Sequence, residues 1–204
     1  MLFSDTYRTI QLPGLGVYKD RGSRFLGFVF HVTSENQVKE HLGLLKKEYY
    51  DARHHCYAYI LGPDKAAYRI NDDGEPSGSA GRPIYNILLS NDLTNILIVV
   101  IRYFGGIKLG VPGLIKAYKT AAIEALNNTL IVEKIVFEAY KISYSYEFMN
   151  EIMKIIKDQS LTIITSDFNL DCTIDILIRK KDSDHILESL KKISGVKATF
   201  LYMI

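Results

Sequence analysis

Two glycine-rich stretches with one short apolar run between them constrain this 204-residue chain more than any other feature. The first reads Asp72-Asp73-Gly74-Glu75-Pro76-Ser77-Gly78-Ser79-Ala80-Gly81-Arg82-Pro83. The second reads Arg102-Tyr103-Phe104-Gly105-Gly106-Ile107-Lys108-Leu109-Gly110-Val111-Pro112-Gly113-Leu114. Glycine at this density permits positive φ and close backbone approach, which a loop uses to wrap a ligand or another piece of backbone. Each stretch runs into a segment of helical spacing, and Ile96 to Ile101, unbroken in its apolarity, leads into the second. An apolar run that short and complete reads as a strand buried on both faces. Function is expected where these loops meet the helices that follow them.

Around that centre the periodicities predict an α+β chain. Residues 7–24 are mixed, with turn signals at Pro13-Gly14 and Arg21-Gly22, and residues 25–32 read as a strand. Ser34 and Gln37 have the capping-box form and open a helix to about Tyr49, with Val38, Leu42 and Leu45 on one stripe. Strands follow at 56–61 and 68–70, a helix from about Arg82 with Pro83 in its first turn, a strand over 93–103 and a helix over 113–127. The remainder alternates as strand 135–146, helix 147–159, strands 161–168 and 173–178 joined at 169–171, a helix capped by Asp182, and strand 196–203. That order is β-α-β-β-α-β, the split βαβ or ferredoxin-like pattern. The expected domains are 1–130 and 134–204, with the boundary near 129–133.

A net charge of +2 excludes a chain that binds nucleic acid by its overall charge, though a local basic patch depends on arrangement and not on the total. Cys56 and Cys172 lie far apart in strand-like contexts and read as buried free thiols in a reducing compartment. The first residues lack a basic-then-apolar leader, and the longest apolar run falls far short of the ~20 residues of a spanning helix. The expectation is a soluble cytoplasmic protein with no membrane partner.

Helix N-termini behind glycine loops present backbone N–H groups and partial positive charge, so anions, phosphates above all, bind there. Arg82 and Lys108 would add formal charge, with Gly78, Gly105 and Gly106 shaping the loops. The pattern is neither a Walker A loop nor a dinucleotide fingerprint. The bland alternative is that the glycines only make tight strand-to-helix connections. Arg102-Tyr103-Phe104 suits stacking on bases and pairing with phosphates, or equally a core with a solvated arginine. Lys116 and Lys119 would extend a basic stripe along the following helix, or are ordinary surface lysines. Asp72, Asp73 and Glu75 beside Ser77 and Ser79 admit three readings: a divalent-metal site, a base next to a hydroxyl, or loop architecture in which Asp and Ser side chains bond nearby backbone N–H groups and the acids pair with Arg82 or Arg102. Arg53 and His54 remain further candidates at the site's edge; His54 and His55 point to opposite faces of an extended chain and chelate poorly together.

These two loops, with Gly22-Ser23-Arg24-Phe25, Asp51-Ala52-Arg53-His54 and Gly113-Leu114-Ile115-Lys116-Ala117-Tyr118, resemble the YigZ/IMPACT family in its bacterial two-domain form. The tail resembles the small C-terminal domain of those members. The resemblance implies an N-terminal domain similar to ribosomal protein S5 domain 2 and to domain IV of elongation factor G. It implies a ferredoxin-like C-terminal domain similar to domain V of that factor. The eukaryotic relative regulates translation by binding a partner of the eIF2-alpha kinase system, and the bacterial members carry a proposed nucleic-acid or ribosome-associated role. The family signature falls on Asp73, Glu75, Ser77, Arg82, Arg102, Tyr103, Lys108 and Tyr118. The chain departs from it at His55, where Asn is common, at Ser79 in place of Thr, and at Pro112 where Gly is usual.

The reading that follows is a non-catalytic RNA- or ribosome-binding regulator of translation, without cofactor or metal, its phosphates held by the two glycine loops. Two rivals stand beside it. One is an enzyme acting on a phosphorylated small molecule with Asp73 or Glu75 as base or metal ligand. The other is an adaptor for a protein of the translation machinery.

Overall fold

A computed structural model describes residues 5–168 and 171–204 of the chain. Its elements, in chain order, begin with β1 (Thr6–Ile10), β2 (Gly14–Asp20), β3 (Ser23–His31), α1 (Glu35–Glu48), β4 (His54–Leu61) and β5 (Ala67–Asn71). They continue with α2 (Gly81–Ser90), β6 (Ile96–Tyr103), α3 (Gly110–Asn127), β7 (Ile131–Ile135), β8 (Phe137–Ser145) and α4 (Met149–Asp158). Last come β9 (Thr162–Phe168), β10 (Asp171–Arg179), α5 (Ser183–Lys191) and β11 (Lys197–Met203). Tyr7–Lys134 form one unit, and Asp5 and Thr6 group with Ile135–Ile204 in the other.

In the first unit the apolar run becomes β6, the middle of a five-stranded sheet ordered β2-β3-β6-β4-β5, every neighbour antiparallel. Alternation along the strands splits the core in two. Ile96, Ile98 and Val100 of β6, with Cys56, Ala58 and Ile60 of β4, pack beneath α2 and α3. Leu97, Val99 and Ile101, with Tyr57, Tyr59 and Leu61, pack beneath α1. A sheet covered on both faces explains why β6 shows no polar alternation. Glycines in the sheet let α3 lie close on it. A Cβ at Gly16 would meet the Ala125 backbone N at 2.2 Å, and one at Gly27 the Ala121 carbonyl at 2.4 Å. Ser34 caps α1 as expected, accepting from the Gln37 N–H, while the Gln37 side chain bonds back to the Thr33 N–H.

The second unit follows β8-α4-β9-β10-α5-β11 and folds into an antiparallel sheet ordered β11-β8-β10-β9. Ile142, Ile174, Ile176 and Ile178 meet Ile152, Ile156, Ile186 and Leu190 in a core of its own. Among the described residues no helix is long and apolar enough to cross a membrane.

Several boundaries differ from the sequence reading. The strand expected from Leu93 starts at Ile96, because Asp92 and Asn95 take φ of +58° and +52° and the Thr94 N–H bonds to the Arg8 carbonyl. The 135–146 strand is β8, two residues shorter at its start, and a strand the reading lacked, β7, precedes it and pairs with β1. The mixed segment 7–24 holds β1 and β2. Helix α3 opens at Gly110, three residues early; Pro112 is tolerated there because first-turn N–H groups have no intrahelical acceptor. Asp182 sits before α5 with no cap bond from its side chain. The connection placed at 169–171 lies at residues 169 and 170 outside the described residues.

Candidate functional site

The first glycine loop is built around two of its acids. Asp72 to Glu75 close a turn in which the Glu75 N–H bonds to the Asp72 carbonyl at 2.9 Å, with φ of +40° at Asp73 and +87° at Gly74. Positive φ at both central positions is the type I′ form, which Asp-Gly adopts readily. The Asp72 carboxylate then spans the loop: Oδ1 accepts from the N–H groups of Ala80 and Gly81, at 3.0 and 2.8 Å, and Oδ2 from Gly78 at 2.8 Å. The N-terminus of α2 is therefore already occupied by an anion of the protein's own. The expectation that both helix N-termini receive phosphate is corrected here. Ser79 is buried and donates to the Pro76 carbonyl, while Ser77 is exposed.

Behind the loop lies a buried polar chain. Glu75 Oε1 accepts from Arg102 Nη1 at 2.6 Å and from the Tyr118 hydroxyl at 2.9 Å, and the side chains of Glu75 and Arg102 are 4% and 8% exposed. The Cys56 thiol donates to the Asp72 carbonyl at 3.0 Å and lies 3.4 Å from the Tyr118 hydroxyl. Burial pushes the Cys56 thiol and the Tyr118 phenol far up, so both stay protonated and serve as donors rather than nucleophiles. Asp73 is committed as well, its Oδ2 accepting from the His55 N–H at 2.6 Å. The signature residues Asp73, Glu75, Arg102 and Tyr118 thus meet as architecture that fixes the loop.

A cleft of about 370 Å³ opens beside this network, lined by Arg53, His54, Arg102, Phe104, Lys108 and the first residues of α3. A second hollow of about 440 Å³ shares Arg53, His54, Arg102 and Phe104 and adds Asp51 and Tyr103. His54 Nδ1 lies 2.8 Å from the Asp73 carbonyl, which requires a proton on Nδ1 and leaves Nε2 as the ring nitrogen for other partners. No side chain caps α3. Gly105 packs against Gly22, where a Cβ would fall 1.9 Å from the Gly22 carbonyl carbon, and Gly106 turns with φ of +88°. Tyr103 is occupied: its hydroxyl donates to Asp51 at 2.6 Å, pushing the phenol up to about 12, and Arg24 lies over its ring. Phe104 is 54% exposed with the Arg102 guanidinium 5.5 Å from its ring centre.

The other expected cations fall elsewhere. Arg82 and Gly78 line a separate groove of about 400 Å³ between α2 and α3, with Lys119 on its far wall. The Arg82 guanidinium lies 5.8 Å from the Tyr85 ring centre, and Lys116 is exposed on α3. The structure therefore gathers Arg53, His54, Arg102 and Lys108 around one cleft and leaves Arg82 in another.

A family model described as the Impact N-terminal domain matches residues 21–126, a span that holds both glycine loops and Tyr118. The chain belongs to the IMPACT family. The IMPACT family member YvyE of Bacillus subtilis (strain 168) is 30% identical over 193 residues, covering 95% of this chain and 89% of the relative. The IMPACT family member YigZ of Escherichia coli (strain K12) is 34% identical over 158 residues, 76% of this chain and 78% of the relative. A crystal structure of a hypothetical protein superimposes with a TM-score of 0.76 at 27% identity, covering 98% of this chain and 99% of that one.

Sequence reasoning on this IMPACT-family chain missed the Cys56–Tyr118–Glu75 chain and the bond from Tyr103 to Asp51, whereas its loop-architecture reading had Asp side chains bonding nearby backbone N–H groups, as Asp72 does. A signal existed for the first: His54 and Cys56 are two apart on a strand, so both face the glycine loop. None existed for the bond from Tyr103 to Asp51, 52 residues apart in the chain.

Proposed function

We propose that this chain is a non-catalytic regulator of translation that binds RNA or the ribosome through phosphate contacts on the face of the second glycine loop. The observation that carries the reading is the contrast between the two helix N-termini. That of α2 is filled by Asp72, while that of α3, without a side-chain cap, opens beside Lys108 on a cleft shared with Arg53 and His54. Lys108 and Arg53 are the direct phosphate contacts, Gly105 and Gly106 shape their loop, and Phe104, rather than the tethered Tyr103, offers a ring for stacking. Arg102 positions Phe104 and Glu75 from below. Arg82 and Lys116 lengthen the basic surface. Family membership supports the assignment to translation, and with it the likeness of residues 1–130 to ribosomal protein S5 domain 2. The β11-β8-β10-β9 strand order supports a ferredoxin-like fold for residues 134–204.

Both carboxylates that an enzyme reading would use, Asp73 and Glu75, are already bonded within the protein, so no observation favours it.

The test is binding of the full chain to purified ribosomes and to a structured RNA, titrated over salt. Lys108→Ala, Arg53→Ala and Arg82→Ala should each weaken binding and lower the log–log salt slope by about 0.7–0.9, one phosphate's worth of released counterion. Slopes equal to the parent's in all three would overturn the reading.

A further inference from the structure

The cleft at the start of α3 has the size and wall chemistry of a site for one nucleotide. Its cations Arg53, Arg102 and Lys108 face a single lining carboxylate, Glu75. Arg102 is not fully answered by that carboxylate: its Nε is buried with no hydrogen-bond partner. A guanidinium with its side chain 8% exposed and one N–H unpaired leaves positive charge incompletely answered in the wall of the cleft, which favours an anion nearby. Beside these charges the wall is apolar, with Leu109, Val111 and Leu114. Phe104 has Arg102 against its ring and remains 54% exposed, a platform for a flat partner.

We propose that this cleft binds one phosphate-bearing nucleotide, either free or as the end of a strand. Lys108, Arg53 and the first N–H groups of α3 take the phosphate, and the base lies on Phe104. A volume of about 370 Å³ matches one nucleotide rather than a run of them. The proposal rests on the phosphate-binding reading of Lys108 and the α3 N-terminus and narrows it to a terminal or free phosphate.

The experiment is calorimetric titration of the full chain with the four nucleoside 5′-monophosphates, with inorganic phosphate, and with a trinucleotide bearing either a 5′-phosphate or a 5′-hydroxyl. Lys108 and Phe104 are exposed, so Lys108→Ala and Phe104→Ala should keep the fold. Saturable binding of at least one monophosphate is expected, weakened roughly tenfold by Phe104→Ala, a typical loss for a stacked base. Lys108→Ala should weaken both the nucleotide and inorganic phosphate, whereas Phe104→Ala should leave phosphate unchanged. A 5′-phosphorylated trinucleotide matching the monophosphate, with the 5′-hydroxyl form at least tenfold weaker, would make a strand end the source. A monophosphate tighter than either trinucleotide would make it a free nucleotide. No heat with any monophosphate at millimolar concentration, or binding indifferent to both variants, overturns the proposal. RNA binding with a Lys108-dependent salt slope but no nucleotide binding would defeat this inference alone. Nucleotide binding without RNA or ribosome binding would defeat the translation reading and leave this one standing.

Discussion

Glu75 and Arg102 form an ion pair with both side chains out of water, so each charge depends on the other for its solvation. Removing one partner from such a pair strands the second. Glu75→Gln should cost about 3–5 kcal/mol in urea unfolding, and Glu75→Gln with Arg102→Met should cost clearly less than the two single changes added. Additive losses would show that the two residues act independently. His55 gives a pH dependence. Burial holds its imidazole below the ordinary 6.5, and His31 and His41 are lowered by burial too. As pH falls below about 6.5 the unfolded chain takes up the His55 proton before the folded one does. Stability should therefore drop between pH 7 and 5, and His55→Gln should flatten the urea midpoint over that range; an unchanged profile would remove His55 from the account. At this scale the sequence was half legible. The acids of the loop sit near arginines in the sequence, which limited Glu75 to a few partners. The charge-neutral links through Cys56 and Tyr118 left only the spacing of His54 and Cys56 as a mark, because nothing in a buried tyrosine's letter says whose carboxylate it meets.

Among the elements, the contrast between α2 and α3 is decisive. Asp72 ties three N–H groups of the loop and the start of α2 together, so Asp72→Ala should destabilise by about 1–2 kcal/mol, as loss of a strong N-cap does. The change should also open α2 to anions, read as weak phosphate binding that the parent lacks at that terminus. The seating of α3 is as exacting. At Gly27 a methyl would drive into the Ala121 carbonyl, so Gly27→Ala should cost about 1–3 kcal/mol by thermal unfolding. A smaller loss would mean that α3 can lift without strain. Helices were readable here because apolar stripes, and at α1 the Ser34 cap, are local. Strand β2 was not, since its Gly14 and Gly16 look like turn residues on paper. They serve instead to admit the backbone of α3, a long-range reason that no window of neighbouring letters contains.

For the molecule as a whole, each unit carries its own core. Ile176, fully buried in the second, should cost about 2–5 kcal/mol when cut to Ala. Hydrogen exchange should report that loss in β8 and β10 while amides of β6 keep their protection; equal loss in β6 would mean that the two cores unfold as one. The mixed α+β class was legible from the alternation of periods along the chain. The splitting of the cations was not. Arg82 and Lys108 stand in similar loops, and only the position of Asp72 sets them apart.

Strand β1 also bears on how the protein comes to be made. The Arg8 carbonyl accepts from the Thr94 N–H, the Gln11 N–H donates to the Leu130 carbonyl, and the Asp5 carbonyl accepts from the Val136 N–H. The Arg8 carbonyl meets its partner once Thr94 has been made, but Gln11 has no backbone partner until about 120 more residues have been polymerised, to Leu130. At elongation speeds of about 5–20 residues per second that is a wait on the order of 6–24 s. Throughout that interval the β6 sheet can form, with Arg8 held at Thr94, while the pairing of β1 with β7 is still absent, so β1 completes its ladder after the strands of that sheet. A nascent chain stalled before Leu130 should accordingly remain open to protease near Gln11 long after β3, β4 and β6 have become resistant.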